Sequence, residues 1–84
     1  MKEINLFKAL SDETRFSIIS FLVDGEKCVC EIFPRVKRAQ STVSIQLGKL
    51  ESWGVLKSVR QGKKVFYHIN DKRIYSIFKA IKGN

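Results

Sequence analysis

The chain has 84 residues, two cysteines and a formal net charge of +8, which allows one hydrophobic core and no disulfide framework. A chain of this length buries only roughly 60% of its unfolded surface, so self-association is the expected source of further stability. No apolar run reaches the roughly 20 residues of a membrane span and Met1-Lys2-Glu3 opens no secretory leader, so the expectation is a cytoplasmic protein with reduced thiols and no membrane partner.

Ile4, Leu6, Phe7 and Leu10 predict a short first helix with one apolar face. Ser11-Asp12-Glu13-Thr14 interrupts it and offers N-caps for a second helix carrying Phe16, Ile18, Ile19, Leu22 and Val23. Asp24-Gly25-Glu26 ends that helix, with Gly25 as a left-handed cap. Cys28-Val29-Cys30-Glu31-Ile32-Phe33 opens a third, short segment, with Pro34 within its first turns and Val36 continuing its apolar side. Lys37-Arg38-Ala39 leads to the clearest helix, Gln40–Trp53, where Val43, Leu47 and Leu50 form one narrow stripe and Gly54 is the stop. Its other face carries Ser41, Thr42, Ser44, Gln46 and Lys49. Val55–Arg60 and Val65–Ile69 are rich in β-branched and aromatic residues, and Gln61-Gly62-Lys63-Lys64 joins them as a hairpin with a basic tip. Asn70-Asp71 caps a last helix with Ile74, Ile77, Phe78 and Ile81 on one stripe. The expected architecture is a mainly α domain over residues 1–84 with a β-hairpin wing, in the order α-α-α-α-β-β-α.

Charge is unevenly placed along this order. Residues 1–34 hold four basic and six acidic residues, a net of −2; residues 35–64 hold eight and one, a net of +7; residues 65–84 hold four and one, a net of +3. A localised positive field is what phosphate binding requires. The central segment contains both the polar-faced helix and the basic hairpin, the two parts of a winged helix-turn-helix. Gln pairs bidentately with adenine, and Ser and Thr reach bases or phosphates. Gln40, Ser41, Thr42, Ser44, Ile45, Gln46 and Lys49 are therefore the candidate groove residues. Arg60, Lys63 and Lys64 are the candidate phosphate contacts on double-stranded DNA. An enzyme is not indicated: there is one histidine, no Ser/His/Asp arrangement and no glycine-rich phosphate loop. A winged helix used for protein docking is the alternative, and the basic wing argues against it.

Several motifs together resemble the ArsR/SmtB family of metal-responsive repressors. Leu6 to Arg15 resembles that family's ALxDxTRxxIL opening, and Lys27-Cys28-Val29-Cys30-Glu31-Ile32 resembles its ELCVCDL metal box. Gln40 to Leu47 resembles its SQSTVSxHL recognition helix, and Gly54-Val55-Leu56 through Tyr67 resembles its wing. The resemblance runs from about residue 5 to residue 80. It implies a homodimeric repressor on a two-fold symmetric operator, with the first and last helices pairing the subunits. Ile45 departs from the pattern, which often has a polar or basic residue there, and Gln46 replaces a frequent histidine. The last helix has no histidine and no acidic residue after Asp71, so the family's interfacial zinc site is not implied.

Cys28 and Cys30 are the candidate effector residues. Thiolates favour soft ions such as arsenite, antimonite, cadmium, lead or cuprous copper. In a regular helix residues i and i+2 point about 200° apart, so sharing one ion requires a distorted helix start. A third ligand is not evident: Phe33 stands where the resemblance would place a cysteine, Glu31 or Glu26 offers oxygen, and His68 lies in the wing. A thiol redox sensor and a cysteine pair without effector are the competing readings.

Overall fold

The computed structural model describes residues 3–82. Helices α1 (Glu3–Ser11) and α2 (Glu13–Leu22) are separated by Asp12 alone. Asp12 is extended (φ −97°, ψ 134°), and its carboxylate accepts the Arg15 N–H at 3.0 Å. That satisfies one of the donors a helix start leaves open. Next come strand β1 (Lys27–Cys28), helices α3 (Val29–Arg35) and α4 (Gln40–Ser52), strands β2 (Leu56–Gln61) and β3 (Lys64–Ile69), and helix α5 (Arg73–Lys82).

The helices and the hairpin follow the expected order, with one addition. β1 pairs antiparallel with β3, Lys27 opposite Tyr67 and Cys28 opposite Phe66, so the sheet order is β1-β3-β2. Two residues are too few to show an alternating pattern, which is why β1 is not legible in sequence. Along the hairpin, Gln61 faces Lys64 and leaves Gly62-Lys63 as a two-residue loop. Gly62 has φ 62° and Lys63 does not share the positive φ, the pattern of a II′ turn with glycine first. Pro34 is the sixth residue of α3. Having no N–H, it leaves the Cys30 carbonyl without its helical donor, and the helix ends one residue later. At the start of α5, Asp71 accepts the Arg73 N–H at 3.1 Å, whereas the Asn70 side chain donates to the Gly54 carbonyl and ties the α5 approach to the end of α4.

Val43, Leu47 and Leu50 of α4 are buried as the stripe predicts, among Ile18, Ile19, Leu22, Ile32, Val55, Leu56 and Ile74. Phe16 stacks on Phe78 with centroids 5.2 Å apart, which fixes α5 against α2. The terminal stripes divide. Leu6, Ile74 and Phe78 enter the core, while Ile4, Phe7 and Ile81 remain about three-fifths exposed, at 61%, 62% and 58%. Among the described residues no helix is long and apolar enough to cross a membrane.

Candidate nucleic-acid interface and thiol pair

Burying one narrow stripe of α4 leaves the rest of its surface outward. Gln40, Ser41, Ser44, Ile45 and Lys49 are exposed, and Thr42 is half-buried. The N-cap, Ala39, makes no side-chain cap bond, so no capping side chain occupies the first-turn N–H groups beside Gln40 and Ser41. Arg60, Lys63 and Lys64 are all exposed on the wing.

Gln46 is placed differently from the other candidates. Three residues after Val43, it borders the buried stripe, and its Oε1 accepts from Arg15 Nη1 at 2.8 Å. Arg15 also donates Nη2 to the Lys8 carbonyl at 3.0 Å, and its guanidinium lies 5.2 Å from the centre of the Trp53 ring. One planar cation thus ties α1 and α2 to both the middle and the end of α4. Sequence reasoning missed Arg15 as a residue that positions α4. The available signal was a lone cation between the acidic residues Glu13 and Asp24, on a helix whose inner face is apolar.

Glu51 is the second residue missed. It is the sole acidic residue of the +7 segment, and it accepts from Ser58 Oγ at 2.6 Å across the α4–β2 corner. Burial first, then the charge and hydrogen bond of Glu51, hold the Tyr67 phenol above its ordinary pKa. Glu51 therefore joins the end of α4 to both hairpin strands.

The two cysteines do not splay apart. Cys28 lies outside the helix, as the extended N-cap of α3 (φ −70°, ψ 146°), and its Sγ accepts the Cys30 N–H at 3.3 Å. Glu31 completes a capping box by accepting the Cys28 N–H at 3.0 Å. The expected 200° divergence applies only within a regular helix, and the cap geometry removes it. The Cys28 thiol is buried and the Cys30 thiol exposed. The hydrogen bond of the Cys30 S–H with the Cys28 side chain, then desolvation, raise the Cys30 pKa above its ordinary value, while the ammonium of Lys64 acts in the opposite direction. Cys30 is thus a thiol at neutral pH, beside a wing cation.

A soft ion would find two sulfurs here. Glu31 is held by the cap, Phe33 is half-buried against the core, and the Glu26 carboxylate lies 3.5 Å from His68 Nδ1. Among the described residues no group of three or more His, Cys, Asp or Glu is arranged to hold a metal ion. The donor set suits an ion satisfied by two thiolates, with other ligands taken from outside these residues.

A polar-faced helix following a short helix and a tight connection, then a basic two-stranded wing, defines a winged helix-turn-helix DNA-binding regulator. The family description "bacterial regulatory protein, arsR family" matches residues 12–63. The chain is 37% identical over 81 residues to an uncharacterized HTH-type transcriptional regulator of Methanocaldococcus jannaschii, covering 95% of this chain and 91% of that protein. It is 40% identical over 68 residues to the arsenical resistance operon repressor of Escherichia coli, covering 80% of this chain and 58% of that protein. The homodimeric winged helix-turn-helix DNA-binding domain Mb0332 of Mycobacterium bovis superposes with a TM-score of 0.83 at 26% identity, covering 96% of this chain and 75% of that one. The chain belongs to the arsR family, whose members are DNA-binding transcriptional regulators and not enzymes.

Proposed function

We propose that this chain is a cytoplasmic, homodimeric repressor that places α4 of each subunit in a major groove of its operator and the wing along the phosphates. The observation that carries this reading is the outward face of α4, Gln40, Ser41, Ser44, Ile45 and Lys49, followed directly by a tip bearing Arg60, Lys63 and Lys64. Thr42 and Gln46 support the face from its edges, Gln46 through Arg15. Dimerisation through α1 and α5 is supported by the exposed Ile4, Phe7, Tyr75 and Ile81, and by the homodimeric Mycobacterium bovis neighbour. Duplex binding measured against salt tests the reading. Log affinity should fall linearly with log salt, and Lys63→Ala should reduce the slope by about 1 for all sequences alike. Gln40→Ala and Ser44→Ala should instead alter which sequences are preferred. Absence of duplex binding at low salt defeats the proposal.

The effector in this reading is a soft metal or metalloid ion, arsenite, antimonite, cadmium or lead, held by Cys28 and Cys30. Coordination would take the Cys28 sulfur from the α3 cap, at the residue where β1 pairs with the central wing strand. Local chemistry at the thiols would thereby reach both α3 and the wing. Operator-bound protein titrated with arsenite and with cadmium should release DNA, and Cys28→Ser should abolish release. If no ion releases the wild-type protein, metal sensing is excluded. Thiol oxidation is the second reading, favoured by the closeness of the two cysteines, the Cys28 Sγ accepting the Cys30 N–H at 3.3 Å. Release by peroxide but by no metal ion would select it.

A further inference from the structure

The outward side of α4 carries one large apolar side chain, Ile45, 59% exposed. On a helix turning about 100° per residue, Ile45 stands opposite the buried Val43–Leu47–Leu50 stripe. Its helical neighbours three and four residues away are Ser41, Thr42, Gly48 and Lys49. Two hydroxyls, a hydrogen atom and a cation give it no apolar cover, and it is not packed against the core. Gly48 lies one turn on and is exposed, and a Cβ there would meet nothing within 4 Å. Helix interiors favour alanine over glycine, and no internal packing among the described residues requires a glycine at this point. An external body that approaches the helix closely accounts for both residues. In a segment of net charge +7, a polyanion is the body that fits. In the major groove of DNA the apolar group on offer is the C5-methyl of thymine.

We propose that Ile45 is a specificity-determining residue that seats against a thymine methyl, with Gly48 giving the α4 backbone room to close on the groove. This rests on α4 being the reading helix. Ile45 neither donates nor accepts a hydrogen bond, so it also disfavours any base edge whose polar group it would cover. Selection then comes from contact with the methyl and from rejection of unpaired amino and carbonyl groups.

The test selects tight duplexes from a random-sequence pool with the full chain, then exchanges each thymine of the selected site for deoxyuridine, which removes only the methyl. One thymine per half-site should show a loss of about 4-fold with the wild-type protein, the worth of one buried methyl, and no loss with Ile45→Ala. Ile45→Gln should select a different base at that position. Gly48→Ala should raise the thermal midpoint of the free protein yet weaken binding to the selected duplex; a fall in stability as well would place the glycine's role inside the protein and remove it from the proposal. The methyl assignment is overturned if the selected sites lack thymine, if deoxyuridine is silent with the wild type, or if it weakens the wild type and Ile45→Ala equally. Gln40→Ala tells that failure from failure of the underlying reading. If it still shifts the selected sequence, α4 reads the groove and only the methyl contact is wrong. If neither Gln40→Ala nor Ile45→Ala shifts it, α4 is not the reading helix.

Discussion

Cys28 serves two chemistries at one atom. Its sulfur is the cap acceptor for α3 and, in the proposed function, half of the ion site. Serine is the better cap of the two tasks and the poorer soft-metal ligand. Cys28→Ser should therefore unfold in urea within a few tenths of a kcal/mol of the wild type while losing ion-induced DNA release. Cys28→Ala should lose about 1 kcal/mol of stability, because the Cys30 N–H and its neighbours then lack a partner. Cys30 sets the pH dependence. Its pKa is held above the ordinary thiol value, chiefly because its S–H is the donor in a hydrogen bond with the Cys28 side chain, and a cation such as cadmium must displace that proton. Loading should tighten steadily as pH rises toward the raised value and weaken on acidification. Isothermal titration with cadmium across mildly acidic to neutral buffers, with proton release measured by buffer choice, checks this directly, since a bare cation expels the thiol protons as H+.

The elements proposed to read DNA are held together by polar links of few atoms. Arg15 ties α1 and α2 to the middle and end of α4 through Gln46 and Trp53, and Glu51 ties the end of α4 to the wing through Ser58 and Tyr67. Glu51→Gln should lower the Tyr67 pKa toward, but not to, its ordinary value, since burial is the larger cause and remains; an absorbance titration of the tyrosinates reads this. Glu51→Ala makes a sharper case. It adds a unit of positive charge to the DNA face, which alone would strengthen binding. With the wing released from α4, affinity for duplex should fall nonetheless, and stability by about 1 kcal/mol. An increase in affinity would show that charge outweighs the link.

At the scale of the molecule, several large apolar residues among those described are left uncovered by the chain itself. Phe7 and Ile81 remain about three-fifths exposed, on α1 and α5. Phe7→Asp should leave the core intact, as Leu6 and Ala9 carry the inner face of α1. In the proposed dimer through α1 and α5, it should shift sedimentation to the monomer and weaken duplex binding far more than a surface charge reversal does, because two linked half-sites become one. The sequence by itself determined the helices, the hairpin and the segment of positive charge. Each of these is written locally, in the Val43–Leu47–Leu50 spacing, in Gly62 between two β-rich runs, and in eight cations over residues 35–64. Most of the candidate groove residues followed from the same stripe, since whatever a narrow stripe does not bury must face outward. The tertiary structure alone decided the rest. β1 exists because β3 offers it an edge, and two residues carry no period of their own. Gln46 turns to Arg15 because a cation from another helix reaches it. The Cys28 sulfur reaches the Cys30 N–H because Cys28 stops short of the helix, and a cap is a matter of backbone angle that residue spacing does not encode.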